Sequence, residues 1–124
     1  MYSGTIELRR LDGVWVLALH GEHDLSTVPS LRRELDDALD GAAAIVVDLS
    51  HAEFIDSTVL GAIARAYDST SDRDLRFAVV APVASFARRL LDLVSLSDLM
   101  GTHETLADAV ASIADENLPR EAAS

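Results

Sequence analysis

The sequence predicts an α/β fold: one domain built on a mixed, mostly parallel sheet of about four to five strands with about four helices. Three observations predict it. Extended and helical periods alternate along the chain, which argues for helices layered on a sheet rather than a bundle. Ala44 to Leu49 and Leu75 to Val80 are almost continuously apolar yet too short for helices, the pattern of central strands covered on both faces. Finally, 124 residues at 49% hydrophobic content supply one core rather than two. The domain is expected over residues 1–116, with 117–124 a polar, frayed, flexible tail.

Thr5 to Arg9 and Val14 to His20 read as strands on either side of Leu11-Asp12-Gly13, whose Asp-Gly pair is a strong signal for a tight hairpin. Gly21 to Thr27 reads as a polar loop. Val28, Leu31, Leu35 and Ala38 then recur at helical spacing, with Ser26 or Thr27 as the cap, Pro29 in the first turn and Gly41 at the end. After the buried strand Ala44 to Leu49 comes a loop from His51 to Thr58, then a helix with Leu60, Ile63, Ala64 and Tyr67 on one stripe. Leu75 to Val80 is the next strand. Pro82 is expected to open a helix that buries Val83, Phe86, Ala87, Leu90, Leu91 and Val94. A weak strand is expected around Leu99 to Thr102, followed by a last helix with Leu106, Ala109, Val110 and Ile113 on its apolar face.

Composition removes several function classes. A formal net charge of −11 repels polyanions and cannot supply the cationic contacts that dominate nucleic-acid affinity, so direct DNA or RNA binding and docking on anionic lipid are not expected. Every basic residue is arginine, gathered at most in pairs (Arg9-Arg10, Arg32-Arg33, Arg88-Arg89) that read as solvated surface. Without cysteine there is no disulfide, thiol nucleophile or zinc–thiolate site. His20, His23, His51 and His103 lack metal-ligand spacing. Met1 to Thr5 does not resemble a secretion signal, and no apolar stretch approaches the roughly 20 residues of a membrane span. The expectation is a soluble cytoplasmic protein without a cofactor of its own.

Ser57 is the residue that points to a function. It lies in Phe54-Ile55-Asp56-Ser57-Thr58-Val59-Leu60-Gly61, where a loop hands over to a helix, and free backbone N–H groups at a helix start favour an added negative charge. A phosphorylation switch and a plain helix cap are both open from these residues alone. If the second and third strands are adjacent and parallel, their carboxyl-end loops gather Asp24, Ser26, Thr27, Asp56 and Ser57 on one rim, the edge of an α/β sheet where partners dock. An enzyme with Ser57 as nucleophile and His23 or His51 as base is not expected: no Gly-x-Ser-x-Gly elbow surrounds the serine.

The same residues resemble STAS domains, in particular the bacterial anti-sigma-factor antagonists, whose phosphorylated serine directly follows the aspartate of an Asp-Ser-(Ser/Thr)-Gly-Leu-Gly segment. Gly21-Glu22-His23-Asp24 is similar to the family's Gly-Glu-Leu-Asp loop, with His23 in place of an apolar residue. Asp48 to Thr58 is similar to its strand and phosphorylation loop, and Ala81 to Leu91 to its proline-led helix. Val59 stands where the family commonly has glycine, so ordinary helix is expected there. The resemblance implies a non-catalytic protein that, unphosphorylated, binds an anti-sigma-factor serine kinase and releases a sigma factor. That kinase, using its own ATP and magnesium, would phosphorylate Ser57 (Thr58 being the lesser acceptor) and end the binding; a phosphatase would reset the switch. Asp24, Ser26, Thr27, Asp56, Ser57 and Thr58 would form the partner surface of a monomer or weak dimer. The rival within the family is a constitutive, non-catalytic STAS subunit of a signalling or lipid-transport assembly.

Overall fold

The computed structural model of the chain describes residues 4–11 and 13–116. β1 (Thr5–Leu11) and β2 (Val14–His23) form an antiparallel hairpin with Leu11 opposite Val14. Gly13 takes φ 85°, a conformation that glycine reaches without steric cost; Asp12, the other residue of the expected Asp-Gly turn, lies outside the described residues. A single 3-10 turn (Leu25–Thr27) leads into α1 (Val28–Gly41). There follow β3 (Ala44–Asp48), β4 (Ala52–Ile55), α2 (Ser57–Thr70), β5 (Arg76–Val80), α3 (Phe86–Leu93), β6 (Thr102–His103) and α4 (Leu106–Glu116).

The sheet runs β1-β2-β3-β5-β6, parallel at every junction after the first, with β4 alongside β2. Strand alternation sorts the core into two layers. Leu17, Leu19, Ile45, Val47 and Val79 pack against Leu31 and Leu35 of α1, Val59 and Ile63 of α2, and Leu91 of α3. Val16, Val46, Ala78 and Val80 turn to the other side and meet Ala109 and Ile113 of α4. All of β3 is buried, as its uninterrupted apolar run requires.

Among the described residues the sheet has six strands, one more than the apolar runs reveal. The extra strand is β4, in the stretch that reads as loop, and β2 likewise runs on to His23 through part of the expected polar loop, because Gly21 to His23 pair in parallel with Ala52 to Ile55. α3 also departs from expectation. Pro82 does not open it; Ser85 N–H bonds back to Pro82 O at 2.9 Å, and the Ser85 hydroxyl caps the helix by accepting from Arg88 N–H. Only Ala87 and Leu91 of the expected apolar face are buried, while Val83, Phe86 and Val94 remain exposed. On α2 the inward stripe is Val59, Leu60, Ala62, Ile63 and Ala66, with Ala64 and Tyr67 half-buried. The expected weak strand is β6, shifted to Thr102–His103 beside β5. The expected tail, 117–124, lies outside the described residues.

Candidate functional site

β2, β3 and β4 each hand over to a loop at an aspartate that repeats one local motif, β3 stopping opposite Ala18 while β2 and β4 run on together to His23 and Ile55. Asp24 follows β2, Asp48 ends β3 and Asp56 follows β4. In each, one carboxylate oxygen accepts both the backbone N–H and the hydroxyl of the residue two places on: Ser26 at 2.9 and 2.6 Å, Ser50 at 3.0 and 2.6 Å, Thr58 at 3.0 and 2.5 Å. Asp and Ser/Thr are suited to this because a short polar side chain can stand in for the missing turn of backbone. Asp48 is buried and fixes the turn that lets β4 take over from β3 alongside β2. Asp56 is the N-cap of α2; it also accepts from Val59 N–H at 3.1 Å.

Because His23 is paired with Ile55, the two residues that follow, Asp24 and Asp56, leave adjacent strand ends. The structure thus brings together on one edge the residues the sequence nominates: Asp24, Ser26, Ser57 and Thr58 exposed, Thr27 and Asp56 half-buried. Thr27 occupies the N-cap position of α1 but does not cap it; its hydroxyl turns back to Asp24 O and to His23 Nδ1. The Ser26 hydroxyl likewise serves Asp24 rather than the helix. The two hydroxyls at the start of α2 differ. Thr58 Oγ1 is donated to Asp56, whereas Ser57 Oγ makes no side-chain hydrogen bond among the described residues.

The Asp24 carboxyl is held below the usual carboxylate range, first by the Ser26 hydroxyl, then by the Ser26 N–H, with a minor contribution from His23. His23, expected on a loop, is completely buried. Its Nε2 lies 3.2 Å from Thr5 O and 3.1 Å from His20 O, two acceptors, so that nitrogen carries the proton. Gly4 makes room for the ring, since a Cβ there would sit 2.3 Å from Nε2. His51 stacks on His20 at 5.0 Å. Neither His23 nor His51 hydrogen bonds Ser57 among the described residues. No group of three or more His, Cys, Asp or Glu among the described residues is placed to hold a metal ion.

Four large apolar side chains that sequence reading left out of the site lie exposed along the loops at this end of the sheet. Leu25 follows β2, Phe54 belongs to β4, and Val83 and Phe86 follow β5, with exposures of 66, 40, 64 and 38%. The Phe54 and Phe86 rings meet tilted by 31° at 5.3 Å, tying α3 to β4. Val83 and Phe86 fit a helical apolar stripe in the sequence, which is why pattern alone assigns them to the core. Val59, by contrast, is fully buried and Gly61 has open space where a Cβ would point, so the departure from the family's glycine falls on the inward side of α2.

A family model described as STAS domain matches residues 5–109 of the chain. Anti-sigma-F factor antagonist RsfB of Mycobacterium tuberculosis is 31% identical over 119 residues, covering 95% of this chain and 96% of its own. An anti-sigma F factor antagonist of Paenibacillus polymyxa is 29% identical, covering 87% and 93%. Among solved structures, an anti-sigma factor antagonist from Mycobacterium paratuberculosis superposes with a TM-score of 0.80 at 32% identity, over 88% of this chain and 92% of that one.

Proposed function

The chain belongs to the STAS domain family, and on that premise we propose that it is an anti-sigma-factor antagonist controlled by phosphorylation of Ser57. Unphosphorylated, it docks through the rim at Asp24, Ser26, Thr27, Asp56, Ser57 and Thr58 onto an anti-sigma-factor serine kinase, which then lets go of its sigma factor. In the modifying step Ser57 Oγ attacks the γ-phosphorus of the kinase's ATP. The Oγ–P bond forms, the bond to ADP breaks, and the hydroxyl proton passes to a base on the kinase. This chain supplies the acceptor and the docking surface; the nucleotide and its magnesium belong to the partner. A phosphatase restores the hydroxyl.

The contrast between the two hydroxyls carries this reading. Ser57 is exposed and makes no side-chain hydrogen bond among the described residues, whereas Thr58 Oγ1 is 2.5 Å from the Asp56 carboxylate, and its phosphorylation would break the cap of α2. The placement also explains why phosphate would disrupt docking without unfolding the chain. A helix start attracts an anion, but Asp56 already occupies the N–H groups of Thr58 and Val59. The phosphate charge would stand largely uncompensated beside Asp24 and Asp56, opposing an interface that must desolvate it. The exposed Leu25, Phe54, Val83 and Phe86 offer the apolar contact such an interface uses.

The test is to incubate the protein with candidate anti-sigma-factor kinases and ATP, read the intact mass and locate any phosphate by fragmentation. One phosphate on Ser57 is expected, absent from Ser57→Ala, whose fold should stay within about 0.5 kcal/mol of wild type because an exposed side chain without a side-chain hydrogen bond is removed. Phosphate on Thr58, or persistent labelling of Ser57→Ala, would refute the assignment. Stable binding with no phosphate would favour a constitutive STAS subunit instead.

A further inference from the structure

The sheet has one long edge left open. At one side β6 ends it with two residues; at the other β1 presents seven, Thr5–Leu11, without proline or glycine, and among the described residues it pairs only with β2. Alternate residues of such a strand direct their N–H and C=O groups away from the neighbour, ready to pair with another strand. Ile6 and Leu8 pack on the core beneath α1 and α2, so Glu7 and Arg9 face the opposite side, 51 and 52% exposed. Within the strand they meet only at 3.9 Å, a weak surface pair, and the other Glu7 carboxylate oxygen lies 3.1 Å from His20 Nε2 on β2.

We propose that β1 is a self-pairing edge on which a second copy of this chain docks antiparallel, about a two-fold axis at Leu8, continuing the sheet through both copies. Such an axis stands perpendicular to the sheet and keeps every side chain on its own face, so odd-numbered residues meet odd-numbered ones. With the axis at Leu8 all seven residues of β1 pair, and Glu7 of each copy lies opposite Arg9 of the other. Moving the axis to Glu7 sets glutamate against glutamate, moving it to Arg9 sets arginine against arginine, and either shift leaves only five residues paired. Edge charges ordinarily keep strands apart; a Glu and an Arg two residues apart instead select a single register, because opposite charges directly across a ladder attract and like ones repel. β1 carries Arg9 and Arg10 against Glu7, so this edge is locally positive in a chain of net charge −11, and two copies meet away from their acidic surfaces. The axis reverses strand direction, so the two Ser57 rims point to opposite ends and neither is covered. The proposal stands independently of the switch at Ser57.

Sedimentation velocity of the full chain from micromolar to millimolar concentration tests it. A reversible monomer–dimer equilibrium is expected. Glu7→Arg and Arg9→Glu, both at half-exposed positions that leave the monomer folded, should each weaken it by roughly tenfold, since each puts two like-charged pairs across the junction. Combining the two reversals should restore the wild-type constant. An equimolar mixture of the two single variants, which again sets positive side chains against negative ones, should dimerise at least as well as wild type. A chain that remains monomeric at millimolar concentration would overturn the proposal. So would a dimer indifferent to both reversals, or a double variant as weak as the singles.

Discussion

At the scale of single residues the rim is organised by carboxylates whose work is structural. Asp24 illustrates how a side chain carries its own environment: fully exposed, it is still held below the usual carboxylate range because the Ser26 hydroxyl and N–H both point at it. A depressed folded value adds stability that is fully present above the ordinary carboxylate pKa and is lost as pH falls through the depressed one, so the loss is confined to acid below about pH 4. Ser26→Ala should move the Asp24 carboxyl back toward its ordinary value, as followed by carbon-detected NMR titration; an unchanged midpoint would mean the hydroxyl is not the main cause. The placement of Asp24, Asp56 and Ser57 at one edge of the sheet was legible because Asp and Ser favour the turns and caps where strands hand over to helices. His23 was not. A histidine amid Gly, Glu and Asp reads as solvated, and what buries it is remote: the missing side chain of Gly4 and the carbonyls of Thr5 and His20.

At the scale of elements, legibility followed burial. β3 and β5 were plain from the sequence because strands covered on both faces cannot alternate, whereas β4 is four residues, Ala-Glu-Phe-Ile, whose identity as a strand comes from pairing with β2 some thirty residues earlier. α3 was misplaced because two start signals compete. Proline suits a first helical turn, but Ser85 sits in extended conformation with its hydroxyl on Arg88 N–H and takes the cap itself. α2 invites a sharper experiment. Gly61 lies within the helix, where glycine costs stability, yet a Cβ there would meet nothing within 4 Å. Gly61→Ala should therefore raise stability by about 0.5–1 kcal/mol in denaturant unfolding. If α2 lies against the kinase, the same change should weaken binding; unaltered affinity would place the partner elsewhere on the rim.

At the scale of the whole molecule, the net charge of −11 makes a kinetic statement. If the partner presents a basic docking surface, association should slow as salt is raised while dissociation changes little, because long-range attraction acts on the encounter. Stopped-flow mixing at several ionic strengths checks this, and a salt-independent association rate would count against electrostatic steering. The strand order bears on how the chain comes to be folded at all. β1 and β2 close across a two-residue turn, but Val14 finds Ala44, and Ala44 finds Arg76, only after about thirty intervening residues each. Hairpins form in about microseconds, whereas distant pairings must first close long loops. A chain emerging from the ribosome with residues up to Gly41 has a hairpin and a helix but no floor beneath them. Folding is paced by the centre of the sheet, and the early hairpin waits with β2 unpaired on one side until β3 arrives.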